Sequence, residues 1–390
     1  MDTKKIREER ISLFRDSASF RRPARIPHFA NAVTWKVFDA GHTLDEALTD
    51  LSVMRECVVH FLETYTVDGL MDTGIRNQFT VTEAFGTPGY YYYDSEAIGI
   101  RDHALCTMDD IFDYLRDYDS FVWETVLPGK YGDEWYEKDI SVWKKTFGEY
   151  IKYIMFIVSM ARLTSNKYGI PPMAPNNPMT GTINFAAEEL MANLLGIKTL
   201  STAMRRDAEK LKAFTEEWDE KKIGPQIEKV LGGSGPNMKY CFDASVLMLV
   251  HNIMNVRQFD MFYWPKLSEY LEACETKGLN IRIFTEGNIV RFTDHFADFR
   301  KGTVTMHIEN DDVFEIREKM PDTAIMGGLT SEALRAEHIS DAVDYTRMLC
   351  DRLGRDGGFI LSEGKMLSYR NDAYSANYRA ICDFMNGGAV

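Results

Sequence analysis

Asn280-Ile-Arg-Ile-Phe-Thr-Glu286-Gly-Asn and Thr303-Val-Thr-Met-His307-Ile-Glu309-Asn-Asp-Asp are two short β-prone runs, and each ends in residues able to bind a metal. Two more strand phrases follow, Thr323-Ala-Ile-Met-Gly-Gly328 and Gly357-Gly-Phe-Ile-Leu-Ser-Glu363-Gly. Helical sequence lies around them. Pro265 opens one helix that stops at Lys277-Gly278, Thr330-Ser-Glu-Ala-Leu starts another, and Asp341 to Leu353 precedes the last strand phrase. Repeated strand–helix alternation with short joints implies parallel strands and right-handed crossovers.

Working back, Arg25-Ile-Pro-His-Phe-Ala-Asn31 reads as a first strand and Val67-Asp-Gly-Leu-Met-Asp72 as a second. Between them Thr43 caps a helical pattern running from Leu44 to Phe61. Residues 1–24 form a charged leading helical extension, and 25–390 are expected to form one barrel with insertions. About eight strands are available, so the expected fold is α/β, a (β/α)8 TIM barrel in a single domain. The stretch Pro171-Pro-Met-Ala-Pro-Asn-Asn-Pro178 is the clearest break in the chain.

The chain has 390 residues, 45% of them hydrophobic, which is ample for a full core. A net charge of -14 argues against nucleic acid as the main partner. The most apolar run, Tyr153 to Met160, is too short to cross a bilayer. The six scattered cysteines form no metal knuckle or redox pair, and no export signal opens the chain. A reducing cytoplasm is the expected location. The oligomeric state is open, with a homodimer among the options.

In a parallel barrel the C-terminal strand ends face the active site. Glu286 and His307 stand at such ends. A carboxylate and an imidazole suit Zn(II), and Glu309 shares the strand parity of His307, so it is the expected third ligand. The alternative is two solvated loop acids and a hydrogen-bonded edge histidine. Substrate contacts are expected from His28, Asn31 and Trp35 after the first strand and from Asp72 and Asn77 after the second. The run Tyr90 to Tyr93 is read as a loop over the site, with Tyr91 and Tyr93 as aromatic walls. No Ser nucleophile elbow, Walker loop or dinucleotide fingerprint is present.

The last third resembles the uroporphyrinogen decarboxylase superfamily. The phrases that carry the resemblance are Ile283-Phe-Thr-Glu-Gly-Asn288, Glu309-Asn-Asp-Asp-Val-Phe-Glu-Ile-Arg, Ala324-Ile-Met-Gly-Gly328, Gly357 to Gly364 and the closing Asn377-Tyr-Arg-Ala-Ile-Cys-Asp. The family fold is a (β/α)8 barrel. True decarboxylases of the family carry an arginine-rich motif on the first strand; here that region reads Arg25-Ile-Pro-His-Phe-Ala-Asn. Its thiol methyltransferases hold zinc with a His-x-Cys pair and a later Cys; here Phe284, Glu286 and Lys365 stand at those positions. The sequence looks closer to the anaerobic O-demethylase methyltransferases, which hold zinc with acids and a histidine. Glu286 and His307 match that spacing, whereas the first acid of the pattern falls at Leu271, beside Glu272.

The resemblance thus implies catalytic zinc at Glu286 and His307. It also implies a small methoxylated aromatic substrate and a methyl-accepting corrinoid, a cobalamin, carried by a partner protein. The alternatives are a cofactor-free decarboxylase and a non-catalytic barrel that binds a corrinoid protein.

Overall fold

The computed structural model describes residues 2–74, 79–86, 91–102, 104–175 and 183–387. Their strands in chain order are β1 (His28–Ala30), β2 (Gly69–Leu70), β3 (Tyr91–Tyr93), β4 (Ile98–Ile100), β5 (Ala244–Met248), β6 (Ile281–Thr285), β7 (Val304–His307), β8 (Ala324–Leu329) and β9 (Phe359–Glu363). Seven of them form one parallel sheet in the order β2-β1-β9-β8-β7-β6-β5. In β6 to β9 every residue is buried. Strands covered on both faces need not alternate apolar with polar, which is why their sequences read as continuous β-prone runs.

The sheet curls. Phe29 of β1 lies 6.4 Å, ring to ring, from His307 of β7, although β9 and β8 separate those strands in the sheet. Met71, just after β2, places its sulfur 3.8 Å from the Arg282 guanidinium of β6. The inner face is therefore concave and its side chains meet across it. Gly327 supports the bend: its φ is +137°, and a Cβ there would sit 2.8 Å from the Ile308 carbonyl.

The expected eight-stranded closure is not what the described residues show. Seven strands make the ladder, and the edges β2 and β5 are not paired with each other. The interval is partly bridged by Pro172 and Met173, whose carbonyls accept from Cys241 N and Phe242 N at 3.2 and 2.8 Å. A lone parallel bridge from Ile183 to Val246 adds to it. Proline lacks an N–H, so Pro171 and Pro172 can accept on this edge but cannot donate to a ladder.

The leading helix, Thr3–Ala18, packs under the N-terminal ends of the strands. Phe14 meets Phe29 and Phe242 edge-on, each at 6.1 Å. Arg15 clamps Asp243 at 2.9 and 3.3 Å, and the Ser17 carbonyl accepts from Gly358 N at 2.6 Å. One end of the sheet's concave face is thus filled, leaving the C-terminal strand ends for chemistry.

Local signals behave as capping physics requires. Thr43 and Glu46 form a reciprocal capping box, but the helical pattern from Leu44 breaks at Asp50, which caps a second helix, Leu51–Thr64. Thr330 caps Ser331–Leu334, and Pro265 sits in the first turn of Trp264–Thr276. The Tyr91–Tyr93 run is a strand rather than an irregular loop; it pairs antiparallel with β4. No helix among the described residues is long and apolar enough to cross a membrane.

Candidate active site at the C-terminal strand ends

Strand parity sorts the polar residues. In β6, Arg282 and Phe284 share the inner face. In β7, Thr305 and His307 do so. Arg282 is completely buried, and its Nη2 donates to His307 Nδ1 at 2.6 Å while Nη1 donates to Ser245 Oγ at 3.2 Å. Arginine can only donate, so His307 Nδ1 is an acceptor and the ring proton sits on Nε2. Nε2 in turn donates to the Glu363 carbonyl at 3.1 Å, with Ser362 Oγ at 3.3 Å. Burial first, then the Arg282 charge, hold His307 well below the usual imidazole range. It is a neutral, fully committed histidine.

Among the described residues Arg282 has no carboxylate partner, and burial lowers its pKa to about 9. The rings of Phe29 and Phe284 lie 5.7 and 5.2 Å from its guanidinium carbon. Two atoms of this polar layer have no partner, Arg282 Nε and Asn31 Oδ1. Buried polar atoms of that kind mark places for an ordered water or a polar atom of a ligand. If no anion sits there, Arg282→Met is expected to change unfolding free energy by less than about 2 kcal/mol, because a desolvated cation is exchanged for an apolar side chain of like reach. Denaturant unfolding tests this; a loss of about 4 kcal/mol or more would show that an anion neutralises the guanidinium.

A second cluster lies at the ends of β5 and β6. Glu188 is buried, and its Oε1 accepts from Leu249 N at 2.7 Å and Val250 N at 3.0 Å, just past β5. Burial raises its pKa to about 7, helped by the neighbouring Glu286 carboxylate and opposed by the bonds to Val250, Leu249 and Tyr263. His251 is wholly buried, and neither ring nitrogen has a partner in hydrogen-bonding geometry, although the Met248 and Glu286 carbonyls are near. Burial and Arg291 depress its pKa to about 4. Glu286 is half-buried here, its carbonyl accepting from Asn252 Nδ2 at 2.8 Å.

The expected zinc ligands do not assemble. Among the described residues no three His, Cys, Asp or Glu side chains are grouped to hold a metal. His307 offers no free nitrogen. Glu309 reaches the loop after Glu286, but its Oε2 accepts from Gly287 N at 2.5 Å. Glu272 is exposed on helix Trp264–Thr276. The residues present therefore do not fit the zinc that the family resemblance implies.

The expected substrate contacts divide similarly. His28 has outward parity: it bonds the Glu363 carboxylate at 3.1 Å and lies under the closing helix Ser375–Met385, with Cys382 Sγ at 3.8 Å. Trp35 is not a pocket wall; it is buried against Phe61, Tyr65 and Tyr378, and its Nε1 donates to Ala373 O at 3.1 Å. Asp72 accepts from the buried Lys36 Nζ at 3.0 Å. Tyr93 packs on Phe79 and donates to Asp45, while Tyr91 is exposed. Asn31 does join the Glu363 and His307 layer. Asn77 and Tyr90 lie outside the described residues.

No family model matches the sequence, and no curated protein matches it at a significant level. The fold is similar to that of a methyltransferase from Methanosarcina mazei. That solved structure matches over 96% of this chain and 97% of its own, with a TM-score of 0.57 and 11% identity. The likeness establishes a shared α/β, barrel-like architecture from end to end.

The sequence assigns no site role to Arg282, Glu188, His251 or Glu363; His251 reads as helical, on a face the spacing does not fix, and Glu363 as the end of a strand phrase. Arg282 carried a usable signal: a charge sharing parity with Phe284 and Glu286 in a buried strand points inward. Glu188 carried none, because Ala186-Ala-Glu-Glu gives no hint which acid is buried.

Proposed function

We propose that this chain is a methyltransferase that cleaves a small methoxylated aromatic ether and passes the methyl group to the Co(I) corrinoid of a partner protein. The observation that carries the reading is the end-to-end likeness in fold to a methyltransferase. Its second support is position, because His251 and Glu286 follow the C-terminal ends of β5 and β6 and the carboxylate of Glu188, from helix Ala186–Glu189, reaches the same place, where such folds build their chemistry.

In this reaction the carbon–oxygen bond breaks, and the oxygen keeps the bonding pair. The methyl carbon would pass, in line, to a corrinoid held by the partner protein, which would supply the electron pair for the new bond. The departing oxygen leaves more readily when it receives a proton. Glu188, with a pKa of about 7, is the acid suited to supply it; burial keeps that proton in place, with a smaller push from the Glu286 charge. The zinc of the resembling family would assist the same oxygen, but the described residues do not offer it a ligand set.

The test mixes the chain with reduced corrinoid protein and methoxybenzoates labelled in the methyl group. Label should move to the corrinoid with release of the phenol, and Glu188→Gln should slow transfer by about 100-fold or more. Carbon dioxide released from a carboxylated substrate, with no label moved, would establish a decarboxylase instead. Activity abolished by chelation and restored by zinc would overturn the proton-donor role.

A further inference from the structure

The helix Ile140–Lys167 is the longest among the described residues, and one of its faces is apolar and bare. Ile140, Phe147, Ile151, Met155 and Val158 recur at helical spacing and are all exposed, Phe147 and Met155 by 65% and 68%. The opposite face, with Tyr153, Met160 and Thr164, is the buried one. The bare stripe runs about 27 Å along the axis. It continues at its N-terminal end into exposed Tyr136 and Trp123, joined through Trp135, which touches Trp123, Tyr136 and Trp143. Together these side chains present on the order of 600 Å² of apolar surface, at the upper end for a protein that stays alone.

Gly148 lies within this stripe. A glycine inside a helix costs about 1 kcal/mol relative to alanine. Among the described residues nothing requires it, since a Cβ there would meet no atom within 4 Å. A notch beside Phe147 and Ile151 has a use when a second helix lies close against this face. A bilayer surface would have no use for it.

We infer that this face joins two copies of the chain, the two helices crossing antiparallel about a two-fold axis near Ile151. Such a contact is self-complementary. It sets Phe147 against Met155 of the partner subunit and leaves Lys144 beside Val158 of the partner subunit, so no cation on the stripe faces another. The apolar stripe together with its polar margins approaches the roughly 800 Å² that each partner gives to a stable interface.

Sedimentation equilibrium of the full chain decides the matter. The parent should show twice the 44.8 kDa chain mass at micromolar concentration. Met155→Lys and Gly148→Leu should each weaken association at least tenfold with unchanged circular dichroism, because both positions are exposed. Tyr374→Lys, exposed at 52% on a different element, should leave association as it was. A parent that stays at single-chain mass up to 100 μM overturns the inference, as does a dimer that both stripe variants leave intact. A monomer that co-sediments with anionic phospholipid vesicles through Phe147 would make the stripe a membrane-surface contact instead.

Discussion

Glu363→Ala is expected to destabilise the chain by about 3–5 kcal/mol. The Glu363 carboxylate is completely buried at the end of β9. One oxygen meets His28 Nε2 at 3.1 Å, and the other accepts from Asn31 N at 2.5 Å. The Tyr378 phenol stands close by, its pKa pushed far above the ordinary range by burial and by this carboxylate. Alanine would leave the imidazole and the amide without their acceptor and open a gap beneath helix Ser375–Met385. Glu363→Gln, which keeps an acceptor for Asn31 N, should cost less. His307 bonds the Glu363 carbonyl rather than its carboxylate, so the Arg282–His307 pair should survive in both variants. Urea unfolding measures the loss, and hydrogen exchange should show the closing helix opening first. A loss under about 1 kcal/mol would mean that the carboxylate is not the anchor of this layer.

The contrast between Glu363 and Glu286 shows what the sequence could convey. Both acids follow a legible strand, and the strands were found because β6 to β9 are buried on both faces. Helix starts at Thr43, Pro265 and Thr330 were equally legible, because caps act over three or four residues. What each polar residue faces was a different matter. His28 meets its partner 335 positions away in sequence, under a helix that packs only when the sheet has curled. Trp35, an inviting pocket wall, instead fills the helix layer beside Tyr378. Among the described residues the zinc set does not assemble for the same reason: spacing put Glu286 and His307 at neighbouring strand ends, but the imidazole lies within the concave interior against Arg282. Among the described residues the eighth place in the ladder is marked only by the Pro172 and Met173 carbonyls and the Ile183–Val246 bridge, and proline has no N–H to donate.

Glu188→Gln should alter the pH dependence of stability by about 3 kcal/mol, in favour of the variant as pH rises. Glu188 is 4% exposed, and its pKa in the fold, about 7, stands above the ordinary glutamate value of 4.5. Between those values the folded chain holds a proton that the unfolded chain has released. The stability it contributes is full below pH 4.5 and is lost as pH rises through 7. Glutamine keeps the shape of the protonated acid and has nothing to lose. His251 works in the other direction: its pKa falls from 6.5 to about 4 on folding, so its neutral burial costs stability as pH drops through that window. In the parent the two trends oppose each other and hide one another. Subtracting the parent's unfolding free energy from the variant's at each pH isolates Glu188. The difference should move toward the variant between pH 4.5 and 7.5, and a flat difference would show that the acid is ionised in the fold. The same substitution should depress methyl transfer even where the variant is the more stable protein. Stability gained and activity lost at one residue is the behaviour of an acid held protonated for chemistry, and a purely structural carboxyl would show only the first.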